Sequence, residues 1–345
     1  MTPEGGSVNT TTFLRSRGHE KRFVLIYTGG MLRRKRHTLR LESPGQKANP
    51  ISKTVRRPGG WNSPDHPYAG LVAVLATKHA KLPLIGPPLE RVVGLRVETV
   101  AVDTDTLGTF TGDIPRLGSP LETAVAKARL GMAVTGRSLG IASEGSIGPD
   151  PAIPFVVADQ ELVVLVDDDA DIIVWEAHSS WDIVAATTTV GPGDNLEQFL
   201  TKAGFPTHQL IVRPNSGEIR PIYKGIVSIG ELTAAVAECA ALATDGLACV
   251  ETDLRAHVCP SRRTIIADAA ERLALRLAAR CPACGAPGWG RVDTMLGVPC
   301  DSCGTEVARP WAEIDGCLAC EHRATRPVIP PETRADPREC PFCNP

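Results

Sequence analysis

The chain has 345 residues, enough for about two folded domains of the usual 100–200 residues each. Its composition is 43% hydrophobic and 22% charged, which provides for a sizeable core and excludes global disorder. No apolar run approaches the roughly 20 residues that span a bilayer, so we expect a cytoplasmic protein that makes no membrane contact.

The net charge of −2 conceals an asymmetry along the chain. Residues 1–66 hold 13 Lys and Arg against four Asp and Glu, whereas residues 67–345 hold 24 against 35, a net charge of −11. A protein that binds nucleic acid through its folded part usually carries a basic surface there. Aromatic residues make up only 4%, which is too few for a base-stacking platform. The composition therefore argues against a bulk nucleic-acid binder.

The first 66 residues are rich in Gly, Pro, Ser, Thr and basic residues, with one apolar stretch at Phe23–Tyr27. That stretch is too short for the core of a signal peptide, and no small-residue cleavage site follows it. We expect a disordered basic leader, or a start codon assigned too early, with folding from about residue 67. A basic arm that touches nucleic acid or a partner is the alternative.

Residues 67–280 alternate strand and helix patterns and predict an α/β domain. We divide it into a first half, residues 70–178, and a second segment, residues 179–280, that ends in a long helix. Continuous apolar strands predict a mixed, mostly parallel sheet flanked by helices. In chain order the predicted elements are strands Leu71–Ala76 and Arg96–Val102, a helix over Pro120–Val134, strand Ser138–Ala142, a hairpin of Glu161–Val166 and Ile172–Glu176, a helix after Asp194, strand Gln209–Val212, helix Leu232–Leu242, strand Leu247–Thr252, and a helix from Pro260 to about Arg280.

Two of these helices carry the start signal known as a capping box. Ser119 and Glu122 flank the first helix start, with Pro120 at the first helical position, and Ser228 and Glu231 flank the second.

Eight of the eleven cysteines form four Cys-x-x-Cys pairs in the last 65 residues: Cys281/Cys284, Cys300/Cys303, Cys317/Cys320 and Cys340/Cys343. Two thiolates on a tight turn hold one ion, and a second pair completes a tetrahedral site. Four thiolates leave no open position for catalysis. Residues 281–345 are therefore predicted to be a tandem four-cysteine zinc-ribbon module with two structural Zn²⁺ ions.

The order of pairing has two solutions. Fifteen residues separate the first two pairs and nineteen separate the last two, so we expect sequential pairing into two ribbons. An interleaved cross-brace of the same eight ligands is the alternative. Disulfide or redox-active pairs are disfavoured because no secretion signal is present.

Charged side chains follow the ends of the predicted strands. Lys78 and Lys81 come after the first strand and Glu144 follows the third, at the edge where open α/β sheets bind ligands. The lysines suit phosphate, and Glu144 with Glu122 could hold Mg²⁺ against a polyphosphate, because Mg²⁺ prefers oxygen ligands. The simpler interpretation makes Glu122 part of its capping box, Glu144 a partner of loop amides, and the lysines solvated.

A second polar cluster joins the strand Leu247–Thr252 to the last helix. Backbone N–H groups at a helix start favour anions, and two arginines could clamp a phosphate. A structural network with Asp253 and Ser261 as caps is the alternative. The cluster comprises Glu251, Asp253, Arg255, His257, Arg262 and Arg263.

Three motifs occur in a recognisable order: Ala-Thr-Lys-His-Ala-Lys at 76–81, Ser-Pro-Leu-Glu-Thr-Ala at 119–124 and Gly-Ile-Ala-Ser-Glu-Gly at 140–145. With them, residues 70–178 resemble the inosine/xanthosine triphosphate pyrophosphatase superfamily. This resemblance implies that Lys78 and Lys81 meet phosphates, that Glu122 and Glu144 bind Mg²⁺ or orient water, and that Lys127 supports the same site. The chain departs from that superfamily at Thr123, where Asn is expected, and lacks its acidic pair and closing Ser/His-His-Arg element.

A second resemblance covers residues 68–345. Tyr-Ala-Gly-Leu-Val-Ala-Val-Leu at 68–75, Glu-Thr-Asp-Leu-Arg-Ala-His at 251–257 and Cys-Pro-Ala-Cys-Gly at 281–285 are similar to a bacterial family that carries a domain of unknown function. This family implies C-terminal zinc motifs but no activity.

The function expected from the sequence is Mg²⁺-dependent hydrolysis of a nucleoside triphosphate or related phosphate ester. Glu144, Glu122 and Lys78 are the predicted catalytic residues, with Glu144 as base or metal ligand. The predicted substrate-binding residues are Lys81, Lys127, Asp253, Arg255, His257 and Arg262. The alternative is a non-enzymatic nucleotide-sensing or adaptor protein whose zinc ribbons bind protein or nucleic acid. An enzyme needs Lys78, Glu122 and Glu144 within reach of one ion, whereas an adaptor allows them to be scattered.

Overall fold

A computed structural model describes residues 65–78, 80–103 and 118–345. The predicted leader, except for its last two residues, lies outside the described residues. None of the helices within these ranges combines the length and apolar character that a membrane crossing requires.

The first sheet contains five strands in the order β2-β1-β3-β4-β5. They are β1 (Val72–Ala76), β2 (Arg96–Val100), β3 (Leu139–Pro149), β4 (Val157–Asp167) and β5 (Ile172–Ser180). β1 pairs in parallel with β2 and β3, and the other pairings are antiparallel.

The prediction of a mostly parallel sheet is therefore wrong, because antiparallel pairs account for half of the first sheet and for every pairing in the other two sheets of the described chain. The physical reason is connection length. Short turns join β3 to β4 and β4 to β5, and a short turn can only reverse a strand, whereas a parallel pair needs a crossover. The apolar runs that indicated parallel strands arise because helices cover both faces of the sheet.

Helix α1 (Leu82–Val93) was not predicted, because Pro87 and Pro88 lie inside it. Its buried residues Ile85, Leu89 and Val93 follow helical spacing and join the core formed with α5 (Pro260–Ala278). Tertiary burial of this face outweighs the cost of the interior prolines.

The opposite face of the first sheet is covered by α2 (Pro120–Thr135), which begins at the predicted capping box. Glycine at position 140 of β3 allows α2 to approach closely. A Cβ at Gly140 would lie 2.5 Å from Met132 Sδ and 2.9 Å from the Ala128 carbonyl oxygen. Only glycine fits at this contact.

The second sheet has the strand order β6-β9-β7-β8 and is antiparallel throughout. Helix α4 starts at the second predicted capping box and packs its residues Leu232, Val236 and Cys239 on this sheet. The elements are β6 (Thr187–Val190), α3 (Glu197–Lys202), β7 (Leu210–Pro214), β8 (Tyr223–Ile226), α4 (Ile229–Leu242) and β9 (Ala248–Thr252).

A third, antiparallel sheet follows α5. It comprises β10 (Gly290–Pro299), β11 (Glu306–Gly316) and β12 (Arg323–Pro327), and a 3-10 turn at Pro337–Glu339 lies beyond it. Helix α5 ends three residues before Cys281, so the helix that covers the first sheet leads directly into the first cysteine pair.

The close contact between α2 and β3 yields a stability prediction. Gly140→Ala should lower the free energy of unfolding by about 1–3 kcal/mol, because the added methyl group meets helix backbone that cannot move aside. Chemical denaturation measures the change. Gly148→Ala on the same strand is the matched control, since a Cβ there has nothing within 4 Å. Equal stability of the two variants would contradict the packing described for α2.

Candidate functional site

The eight paired cysteines assemble into two groups of four. In each group one sulfur atom per residue lies within 4.8 Å of the other three. The first group is Cys281, Cys284, Cys317 and Cys320, and the second is Cys300, Cys303, Cys340 and Cys343.

The sulfur separations fit a tetrahedral zinc ion. The Cys281–Cys320 and Cys284–Cys317 sulfur pairs are 3.8 and 3.6 Å apart, and Cys303–Cys340 is 3.6 Å. A Zn–S distance of about 2.3 Å gives tetrahedral edges of about 3.8 Å. Four thiolates at this spacing are the donor set of a structural zinc site.

The expected sequential pairing is wrong, and the interleaved alternative is the one observed. The hairpin of β10 and β11 explains the arrangement. The first pair precedes the ten-residue β10 and the second pair follows it, so at about 3.4 Å per residue they lie roughly 30 Å apart. β11 then runs back, with Gly316 opposite Gly290, and returns the chain to the first pair.

Few apolar side chains pack around either cysteine group. The cluster around the first includes only Ala286 and the partly buried Trp289 besides the cysteines. The cluster around the second adds Val298, Val307 and Ala335, with Trp311 and Ile329 partly buried. Cores this small rarely stabilise a fold without metal.

The pairing predicts the zinc content of double variants. Wild-type protein should carry two zinc ions. Cys281→Ser/Cys317→Ser should retain one, because both changes fall in the same group, whereas Cys281→Ser/Cys300→Ser should retain none. Elemental analysis of purified protein gives the counts. Sequential pairing would instead leave no ion in Cys281→Ser/Cys317→Ser and one ion in Cys281→Ser/Cys300→Ser. One ion or fewer in the wild type would contradict both pairing schemes.

Three of the predicted side chains lie beyond the end of β1, in two separate contacts with β3. β3 continues past the last residue of β1, and its Ser143 and Glu144 are buried at 8% and 6% exposure. Lys127 of α2 forms an ion pair with Glu144, and Lys81, which precedes α1, donates a hydrogen bond to Ser143 Oγ at 2.8 Å. β1 and β3 are neighbours in the sheet, which a shared site for these residues requires. We call Lys81, Lys127, Ser143 and Glu144 the edge cluster.

Lys81 is buried, with 7% of its surface exposed. Burial lowers the pKa of Lys81 to about 8, although the negative charges of Glu161 and Glu144 partly counteract this effect. A lysine that titrates near neutral pH at a sheet edge is typical of functional sites.

Beside the edge cluster lie three charged residues on the α5 side of the sheet. Arg262 forms a 2.6 Å ion pair with Glu161 of β4, and both side chains are almost fully buried. Asp159, two residues before Glu161, is fully buried. Burial and the charge of Glu161 raise the pKa of Asp159 to about 7, and a proton kept on Asp159 can be donated to Glu161.

Sequence reasoning did not select Asp159 and Glu161. The available signal was their spacing of two along a strand, which places both side chains on the same face of the sheet. In the observed register Glu161 lies opposite Gly145 and Asp159 opposite Ile147. Acidic residues at alternate positions of an otherwise apolar strand indicate a buried polar site.

Lys78 and Glu122 have other partners. Lys78 forms an ion pair with Asp103, just after β2, at 2.5 Å. Glu122 is exposed and completes its capping box, where its carboxylate accepts a 2.8 Å hydrogen bond from the Ser119 N–H. That bond lowers the pKa of Glu122. Within the described ranges, only the cysteines bring three or more acidic, histidine or cysteine ligands together.

The second polar cluster of the sequence is divided in the structure. Asp253 is fully buried and accepts hydrogen bonds from the backbone N–H and the guanidinium of Arg255, which raises the pKa of Arg255. Arg262 points to Glu161 instead. The side chain of His257 lies at the surface. Its pKa is lowered mainly because part of the ring is shielded from water, and secondly by the positive charge of Arg255. Asp253 and Arg255 therefore pair with each other, and neither Asp253 nor Ser261 caps α5, whose N-cap residue is Cys259.

A comparison with protein-family models finds a match for the larger part of the chain. Residues 127–345 match the family model described as "Domain of unknown function (DUF6671)". This match agrees with the second resemblance seen in the sequence, while the comparisons give no support to the resemblance of residues 70–178 to the triphosphate pyrophosphatases. No curated protein matches the chain. The matched region holds both cysteine groups, Lys127, Glu144 and α5, and the chain therefore belongs to the DUF6671 family.

Proposed function

We propose that the edge cluster binds a phosphorylated small molecule, foremost a nucleoside triphosphate with Mg²⁺, and that the protein hydrolyses it. The observation that carries this proposal is the convergence of Lys81, Lys127 and Glu144 at the carboxyl end of β1. Charged groups cost free energy when buried, so three of them at the ligand side of a sheet argue for a role in binding.

The two lysines supply the positive charge that a phosphate requires. Lys81 stands at the N-terminus of the twelve-residue helix α1, where the helix dipole adds a partial positive charge. Lys127 is only 13% exposed, so water screens its charge weakly. A phosphate oxygen would compete with Glu144 for Lys127.

Glu144 would then act as the general base. Once phosphate engages Lys127, the carboxylate can accept a proton from a water molecule. The water oxygen forms a bond to phosphorus, the bond from phosphorus to the leaving oxygen breaks, and phosphate or pyrophosphate departs. Mg²⁺ would neutralise the polyphosphate, since this ion commonly binds one carboxylate together with phosphate oxygens and water.

The adaptor alternative has one specific observation in its favour. Lys78 and Glu122 have partners of their own, so the edge cluster contains fewer candidate catalytic groups than the sequence suggested. Such a site could bind a nucleotide without turning it over.

The proposal predicts the behaviour of two glutamate variants. Glu144→Gln keeps the shape of the side chain but removes its charge, and should abolish Mg²⁺-dependent release of phosphate or pyrophosphate while nucleotide binding persists. Glu122→Gln is the matched control and should retain turnover, because that side chain serves its capping box. A screen of nucleoside triphosphates with a colorimetric phosphate assay measures both. Binding without turnover in the wild type would select the nucleotide-sensing alternative, and absence of both binding and turnover would refute a nucleotide site at the edge cluster.

The pKa of Lys81 predicts a pH dependence. Only protonated Lys81 attracts phosphate, so nucleotide affinity should fall as the pH rises through about 8, well below the range in which an ordinary lysine loses its proton. Lys81→Arg keeps its charge and should remove this fall. Calorimetric titrations between about pH 6.5 and pH 9.5, which bracket that value, test the difference. A wild-type affinity that is constant across this range would exclude Lys81 from the site.

A further inference from the structure

A cleft of 450 Å³ lies between the first and second sheets and shares no lining residue with the edge cluster. Ile147, Gly148 and Val157 of the β3–β4 hairpin form one wall. Strands β7 and β9 and the segment around β8 form the other, with Ile211 and Ile222 among its apolar residues. Sites for small organic ligands span about 300–1,000 Å³ and have mostly apolar walls, so the cleft has a suitable size and character.

Charged side chains line one part of this cleft. The acidic ones are Glu251 and Asp253, and the basic ones are Arg213, Lys224 and Arg255. Arg255 neutralises Asp253 at 2.5 Å, and Arg213 lies 3.7 Å from Glu251. Within the described chain Lys224 forms no ion pair, so the lining has one positive charge in excess.

Arg255 also has donor capacity to spare. Its Nε and Nη2 atoms bond to Asp253, while Nη1 makes no hydrogen bond to any described residue. Because Asp253 is fully buried and holds the guanidinium by two nitrogens, the arginine is fixed in place. A fixed guanidinium with a spare nitrogen is well suited to bind an anionic oxygen.

We propose that this cleft binds a small amphipathic anion, a molecule with an apolar body and one acidic group such as a carboxylate or phosphate. The body packs on the isoleucine walls, and the acidic group lies between Lys224 and Arg255. None of the lining residues belongs to the edge cluster, so the proposal does not depend on hydrolysis there.

A larger side chain introduced at Gly148 would fill part of the cleft. Gly148 lines the cavity, and a Cβ built on it has nothing within 4 Å, so a larger side chain can enter without disturbing the strand. Gly230, on the first turn of α4, has the same open surroundings but does not line the cleft. Leucine at each position forms a matched pair of variants.

The probe is anilinonaphthalene sulfonate, a fluorescent anion with an apolar ring system. We expect saturable binding of one molecule per full-length chain. Gly148→Leu should weaken it by about tenfold or more because the leucine occupies the space of the rings, and Gly230→Leu should bind like the wild type. Lys224→Gln should weaken binding about threefold to fivefold, as expected for loss of one exposed charge. Octanoate should displace the probe at lower concentration than octanol.

Equal affinity of the wild type and Gly148→Leu, with unchanged melting temperature, would overturn the assignment of the site. If Gly148→Leu does not fold, Lys224→Gln decides, and wild-type affinity in that variant would overturn the proposal. Equal displacement by octanoate and octanol would refute the preference for an anion.

Discussion

The buried ion pair of Arg262 and Glu161 joins helix α5 to the first sheet, and the positions of the edge cluster, the second sheet and the C-terminal module depend on this connection. Glu161 belongs to the first sheet, and Arg262 lies in the first turn of α5 and also donates to the Leu254 carbonyl, in the loop that leaves the second sheet. Gly145 makes room for it, since a Cβ there would lie 2.2 Å from Glu161 Oε1. Loss of one partner from such a pair typically costs about 3–5 kcal/mol, because a charge is left buried without compensation.

The same ion pair acts on two titratable groups, Lys81 of the edge cluster and the neighbouring Asp159. Burial has the largest effect, raising the pKa of Asp159 and lowering that of Lys81, while Glu161 raises both pKa values and Arg262 lowers both. The result is an acid and a base whose pKa values, about 7 and about 8, both lie near neutrality. One group of buried charges therefore both links α5 to the first sheet and shifts the pKa values of Asp159 and Lys81. Through Arg262 this group also contacts Leu254, which lines the cleft between the sheets.

Helix α5, which the ion pair fixes on the first sheet, also connects that sheet to the C-terminal module. Its buried residues Ile266, Leu273 and Leu277 pack on the first sheet, and three residues after its end the chain reaches Cys281. The module itself has small apolar clusters, so the cysteine groups take the place of a core. Interleaving has a structural consequence: an ion bound by the first group would join the two ends of the β10–β11 hairpin, and an ion bound by the second group would join the turn of that hairpin to the segment after β12.

The sequence by itself determined the features that depend on local spacing: both capping boxes, the helices α2, α4 and α5, the strands β4, β5, β7 and β9, the eight paired cysteines, and the two lysines that follow β1. It missed β6 and β8, and it ended the third strand too early, because Glu144 lies within β3 and not after it. Only the tertiary structure decided the rest. It decided the parallel or antiparallel sense of the strands and the interleaved cysteines, because a hairpin brings together residues that are distant in sequence. It separated Glu122 from Glu144, because a helix presents different faces, and it turned Arg262 inward, because Glu161 lies buried on a strand 101 residues away.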